Sequence, residues 1–150
     1  MHVGIDASNI RGGGGATHLV ELLRAADPVV HGFSRVTVWG GQATLSRIET
    51  RPWLVKINQA LLDKSLPYRA FWQRFKLSKL ALAAGCDALL APGGSYSGDF
   101  RPMVTMSRNM LPFEWLELRR YGWSWMSLKL LILHFTQSRT FRRADGLIFL

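Results

Sequence analysis

Four consecutive glycines, Gly12 to Gly15, stand in the stretch GIDASNIRGGGGATHLVELL, residues Gly4 to Leu23, between an apolar run and a helical pattern. Glycine gives up more conformational freedom on ordering than any other residue, about 0.5–1 kcal/mol relative to alanine in regular structure, so such a run calls for a reason. Backbone without side chains at a helix start offers unpaired N–H groups and the positive end of the helix dipole, which is the chemistry of anion binding. A flexible turn with no ligand has the same composition, and the loop alone leaves both readings open. His18 follows in the first helical turn, within reach of anything the loop holds, and is equally an ordinary surface residue. Further on, Ser95, Tyr96, Ser97 and Asp99 in PGGSYSGD offer hydrogen-bonding groups to a polar ligand, although turn chemistry accounts for the same residues.

Two phosphate motifs can be tested against the chain. A P-loop ends in Gly-Lys-Ser/Thr, and no Gly-Lys pair occurs. A dinucleotide fingerprint needs G-x-G-x-x-G, and counting from Gly12 or Gly13 places Thr17 or His18 where the third glycine belongs. The acidic residue that holds a ribose after the second strand is missing too, since Trp39 runs into Gly40 and Gly41. A nicotinamide-dependent oxidoreductase is therefore disfavoured.

The elements that must position these residues alternate. Val3 to Ala7 reads as a strand, followed by the glycine loop and a helix from about Ala16 to Ala26, whose Leu19, Leu22, Leu23 and Ala26 share one face. Arg35 to Trp39 is a second strand, then a short helix around Thr44 to Glu49, and Trp53 to Ile57 a weaker strand. Tyr68 to Ala84 reads as a helix stopped at Gly85, Asp87 to Ala91 as a strand, Pro92 to Asp99 as a loop, and Pro102 to Ser107 as a further strand. Helices over Glu114 to Arg120 and Ser124 to Arg143 follow, the latter with Leu128, Leu131, Ile132 and Phe135 on one face, before a last strand in GLIFL. Its apolar stretch, with Lys129 and His134 inside it, is too short for the roughly 20 residues of a membrane span.

Short apolar strands separated by helices predict an α/β fold, a Rossmann-like, mainly parallel sheet with helices on both faces, in one domain over residues 1–150. In such sheets ligands bind outside the carboxyl ends of the strands, so the loops Ser8–Gly15, Gly40–Gln42, Pro92–Asp99 and Ser107–Pro112 should gather along one edge.

The balance of 19 Lys plus Arg to 10 Asp plus Glu gives a formal charge of +9, which favours anionic partners: a nucleotide diphosphate, an acidic membrane surface or nucleic acid. Cys86 is the only cysteine, so no intrachain disulfide forms; it reads as a buried, inert thiol in a reducing compartment. MHVGIDASN lacks the pattern of a secretory signal. The segment YRAFWQRFKLSKLAL, Tyr68 to Leu82, interleaves aromatics with Arg and Lys. Docking on acidic lipid headgroups is one reading; a helix packed on the sheet with its basic stems reaching water is favoured, because Phe71, Trp72 and Phe75 fall on one side and Leu77, Leu80, Ala81 and Ala84 on others.

Taken together, GGGGATHLVELL, LLAPGGSY, VTMSRNMLPF and FRRADGLIFL, in this order and spacing, resemble the N-terminal domain of family 4 glycosyltransferases, retaining enzymes of the GT-B fold. The resemblance spans nearly all 150 residues. Family members commonly carry His then Asp or Asn, two apolar residues and Pro at the end of the strand before this loop; here Arg108 stands at the histidine and Asn109 at the second polar position. The resemblance implies an enzyme in which two Rossmann-like domains face each other across a cleft. The C-terminal one holds most of a nucleotide diphosphate sugar, and the N-terminal one supplies the acceptor surface and a glycine loop near the diphosphate. Gly14 and Gly15 would then approach the donor phosphates, with His18, Ser95, Tyr96, Arg108 and Asn109 in the acceptor side of the cleft. No metal and no cofactor are assigned, the nucleotide sugar being a substrate. A glycan or lipid-linked acceptor, a cytoplasmic location and peripheral contact at the inner face of a membrane go with this reading. The chain ends in GLIFL, where the partner domain would begin, so the 150 residues alone are expected to show little or no transfer. The alternative is a non-catalytic interaction module, or one that uses its charge on nucleic acid, the less favoured partner.

Overall fold

The computed structural model describes residues 1–107 and 125–149. Six parallel strands, β1 (His2–Ala7), β2 (Arg35–Gly40), β3 (Leu54–Asn58), β4 (Ala88–Ala91), β5 (Met103–Ser107) and β6 (Gly146–Phe149), form one sheet in the order β3-β2-β1-β4-β5-β6. This is the doubly wound, Rossmann-like arrangement, in which the direction of winding reverses between β1 and β4. Asp6 lies level with Trp39, Ala7 with Gly40 and Ile5 with Leu90, so the carboxyl ends of β1, β2 and β4 finish together.

The alternation of side chains along each strand serves two cores on opposite faces. Ile5 and Ala7 of β1 and Val36 and Val38 of β2 point to a layer made by helices α1 (Gly13–Ala25) and α3 (Gln42–Leu45), which contribute Ala16, Leu19, Leu23 and Leu45. Trp39, Leu89, Ala91 and Met103 point the other way, onto Trp72, Leu77 and Ala81 of the long helix between β3 and β4. That helix runs as α4 (Leu66–Trp72), a π-helical turn over Gln73–Leu77 and α5 (Ser78–Ala83). A short helix, α2 (Pro28–His31), is capped by Asp27, whose carboxylate accepts the Val29 and Val30 N–H groups. The last helix, α6, spans Trp125–Arg143.

The differences from the sequence reading have local causes. Helix α1 starts at Gly13, because Gly12 is its N-cap and Gly13, with φ +61°, turns the chain into it; the glycines are its first turn and not a loop before it. The predicted helix at Thr44 to Glu49 forms earlier, at Gln42–Leu45, after Gly41 and the Asp63 carboxylate fix its first N–H group. The long helix ends as expected, with Gly85 at φ +72° beyond Ala84. Of the four aromatics on that helix only Trp72 turns to the core; Tyr68, Phe71 and Phe75 are exposed. On α6 the face formed by Leu128, Leu131, Ile132 and Phe135 is also exposed, while Leu130 and Thr140 point inward. The expected helix at Glu114 to Arg120 lies outside the described residues. Among the described residues no helix is long and apolar enough to cross a membrane. Cys86 is buried, and burial pushes its thiol up, away from the reactive thiolate.

Candidate functional site: the β1–β4 switch point

Of the four expected loops, Ser8–Gly15, Gly40–Gln42 and Pro92–Asp99 follow the carboxyl ends of β1, β2 and β4 at one edge of the sheet, and the fourth, beyond Ser107, lies outside the described residues. Between β1 and β4 they are joined by a buried polar knot that the sequence reading did not foresee. Asp6, the next-to-last residue of β1, is almost fully buried, and its Oδ1 accepts the Ser8 N–H at 3.0 Å. Its Oδ2 accepts the side-chain amide of Gln73, the first residue of the π turn. The same amide donates to the Ser95 carbonyl at 3.1 Å, while Gln73 Oε1 accepts the Ser97 N–H at 3.0 Å and the Ser97 hydroxyl at 2.9 Å. One glutamine thus ties the end of β1 to the loop after β4. A π turn inserts one extra residue into a helix, and here it brings Gln73 and Leu77 both inward, which is the positional service such turns render at sites.

Burial raises the Asp6 carboxyl above the usual carboxylate range, opposed by the hydrogen bonds from Ser8 and Gln73. A carboxyl of this kind takes up a proton more readily than an exposed one, and it lies at the carboxyl end of β1, the edge on which doubly wound sheets bind ligands.

The upper rim of the crevice is basic. Arg69 lies half-buried, donating through Nη1 to the Ser8 carbonyl at 3.2 Å and to Asn9 Oδ1 at 3.4 Å. Its Nε is buried with no hydrogen-bond partner among the described residues. Arg11, exposed beside it, donates to the Asp63 carbonyl. Neither guanidinium has a carboxylate partner among the described residues. Burial first, and the like charge of Arg11 second, disfavour the charged form of Arg69. An anion seated here would relieve that repulsion.

Gly14 is exposed in the first turn of α1, and a Cβ built at Gly12, Gly13 or Gly14 meets nothing within 4 Å. The approach to these N–H groups is open. Gly15 is half-buried in the same turn, one residue before the fully buried Ala16. His18, one turn on, is half-buried, with Nε2 buried and unpartnered among the described residues.

The β4–β5 loop divides by role. Ser95 is half-buried at the crevice, its hydroxyl 3.5 Å from that of Thr136. Tyr96 is turned into the core instead: its hydroxyl accepts the Phe100 N–H at 3.0 Å and meets Ser78 at 3.4 Å, while its own N–H donates to Thr140 at 2.9 Å. Burial raises its phenol, so it stays neutral. Asp99 is exposed and paired with Arg74 and with Arg143 at 3.2 Å, which lowers its carboxyl and pins the loop between the long helix and α6. Arg108 and Asn109 lie outside the described residues.

On the far side of β1 the edge is held without a ligand. Asp63 accepts the Gln42 N–H at 2.7 Å and the Asn58 amide at 2.8 Å, and the Thr44 hydroxyl donates to the Ile10 carbonyl. This lattice fixes the loop that carries Arg11.

Of the residues that sequence reasoning missed, Asp6 and Arg11 left a signal, a carboxylate at the end of an apolar strand and a cation against the glycine run. Gln73 and Arg69 left none, for they are ordinary polar residues inside a helical pattern. The fold is a doubly wound, Rossmann-like α/β domain, with the Arg11 and Arg69 guanidinium groups at the carboxyl edge of its sheet. No family model, curated protein or solved structure matches the chain.

Proposed function

We propose that the chain is the acceptor-side domain of a retaining glycosyltransferase, moving a sugar from a nucleoside diphosphate sugar to a glycan or lipid-linked acceptor. The observation that carries this reading is the open, side-chain-free first turn of α1 at the β1–β4 switch point, beside two guanidinium groups without carboxylate partners. N–H groups and a helix dipole there suit a diphosphate, and Arg11 and Arg69 suit its charge. In this account Gly14 and Gly15 give the backbone its approach, and Ser95 and Ser97 hold hydroxyls across the crevice. Asp6 and Gln73 are positioning residues that keep the two loops at a fixed separation. A facing domain holds the rest of the donor, so the chain binds without turning over.

The test is calorimetric titration with uridine, guanosine and adenosine diphosphates, their sugar conjugates, NAD and single- and double-stranded nucleic acid. The reading expects binding of at least one diphosphate, weakened by Gly14→Val in a variant that melts normally. Transfer by the 150 residues alone would contradict the two-domain part. Strong, steeply salt-dependent binding of nucleic acid with no diphosphate binding would replace this reading by that of a nucleic-acid module.

A further inference from the structure

Asp6 is a buried carboxyl held by neutral groups. Its partners are the Ser8 N–H at 3.0 Å and the side-chain amide of Gln73, and among the described residues it forms no ion pair. The groups that face it are Ser8 from the β1–α1 loop, Gln73 from the long helix and, from the β4–β5 loop, the Tyr96 phenol, which feels its charge. Asp99 of the same loop is turned onto Arg74 and Arg143.

One residue links Asp6 to a cation. Ser8 gives its N–H to Asp6 and takes Arg69 Nη1 on its carbonyl at 3.2 Å, and Arg11 adds its like charge beside Arg69. Strand β1 ends at Ala7, and the Ile10 N–H folds back to the Ala7 carbonyl at 3.1 Å, which holds the loop over the strand end before α1 starts at Gly13. An anion on the first turn of α1 and an ionised Asp6 thus draw on the same guanidinium from two sides. They are like charges, and Asp6, at 3% exposed, is poorly screened by water or salt. Each disfavours the other. A proton on Asp6 removes the conflict, and burial already inclines the carboxyl toward that form. The proton also has an acceptor, for the Ser8 hydroxyl is buried beside this carboxyl with no hydrogen-bond partner among the described residues.

We infer that anion and proton are taken up together at the β1–β4 switch point: an anion seated on the first turn of α1 draws a proton from solvent onto Asp6, and the protonated carboxyl tightens the hold on the anion. The carboxylate becomes a carboxylic acid, and no bond of the anion breaks. This coupling rests on the anion site proposed above and adds its regulation, since the site fills more readily in acid.

The probe is inorganic sulfate, which keeps its charge from about pH 4 to about pH 8, added at constant ionic strength to the isotopically labelled chain. Two readouts run together. The amides of Gly13 to Ala16 report whether sulfate is seated, and the carboxyl carbon of Asp6 reports its proton. Sulfate should bind about fivefold or more tightly at about pH 4 than at about pH 8, the lower end of ordinary coupling between two sites. By reciprocity, saturating sulfate should raise the midpoint of the Asp6 titration by about 0.7 pH unit or more. Asp6→Asn, whose amide carries no charge at either pH, should bind at both as tightly as the parent does in acid. His18→Gln, which removes the imidazole further along α1, should keep the parental pH dependence; its loss there would give the proton to His18 and overturn the inference. Equal affinity at both pH values, or an Asp6 midpoint unmoved by sulfate, would overturn the coupling while leaving the anion site standing, provided the α1 amides still shift. Sulfate that leaves those amides unmoved at both pH values would overturn coupling and site together. Should Asp6→Asn fail to fold, the Asp6 midpoint of the parent decides alone.

Discussion

Replacing Gln73 by leucine removes the one side chain that joins β1 to the β4–β5 loop. The amide is 3% exposed and makes four hydrogen bonds, two as donor to Asp6 and the Ser95 carbonyl and two as acceptor from Ser97. Leucine fills a similar volume, so no large cavity enters the balance. What remains is the orphaning of the partners, at about 1–3 kcal/mol for each buried group. Asp6 is buried and takes that cost in full, whereas Ser95 and Ser97 are half-buried and regain water, so each counts at the lower end. The expected loss is about 3–5 kcal/mol, equivalent to a fall in melting temperature of roughly 6–20 °C for a domain of this size. Urea unfolding measures the first, and hydrogen exchange at the Ser97 amide, which Gln73 protects in the parent, should accelerate in the variant. A glutamate at the same position sets a second carboxyl against Asp6. The pair must share a proton, so the deficit of Gln73→Glu should grow as pH rises from about 4 to about 7. A leucine variant within about 0.5 kcal/mol of the parent, the usual span of neutral surface changes, with the Ser97 amide still protected would refute the claim that this residue clamps the two loops.

Three further outcomes follow from single residues. Gly13→Ala should destabilise by about 1–2 kcal/mol, since alanine there must adopt the left-handed φ of +61°, whereas Gly14→Ala, in open space, should gain up to about 1 kcal/mol in thermal denaturation. Because burial raises the Asp6 carboxyl, its contribution to stability is fully present below the unfolded pKa of about 3.9 and is lost as pH rises through the folded value. The stability of the parent relative to Asp6→Asn, followed by denaturant titration, should therefore fall as pH is raised from about 4. Gly98→Ala should cost about 1–3 kcal/mol, because its Cβ would come within 2.7 Å of Tyr96 Cζ, and that ring is buried and held at its hydroxyl.

The sequence made the sheet legible because each strand is a short apolar run bounded by turn residues, and the parallel arrangement follows from the helices between them. The order of strands was not legible, since it depends on which face each crossover takes and not on any local pattern. The glycine run marked the edge correctly but misplaced the helix start: glycine scores poorly as a helix former, yet a positive φ at Gly13 lets the next two open the helix. Tyr96 read as a crevice residue because it sits among serines and glycines. Its hydroxyl is held by the Phe100 N–H and its backbone N–H by Thr140, and the latter partner, 44 residues away, lies beyond any local window. The outward turn of Phe71 and Phe75 was hidden by the π turn, since a pattern read at 3.6 residues per turn loses its register across five π-helical residues.

In the proposed function the β1–β4 switch point receives an anionic diphosphate on the first turn of α1. Its most direct test is the amide spectrum of the isotopically labelled chain during titration with a nucleoside diphosphate. The account predicts that the largest shifts fall on the amides of Gly13 to Ala16 and of Ser95 to Ser97, and that Arg69→Met reduces them without changing the fold. Saturable shifts confined to the outer face of the long helix or to the opposite edge of the sheet, with the α1 amides unmoved, would contradict it.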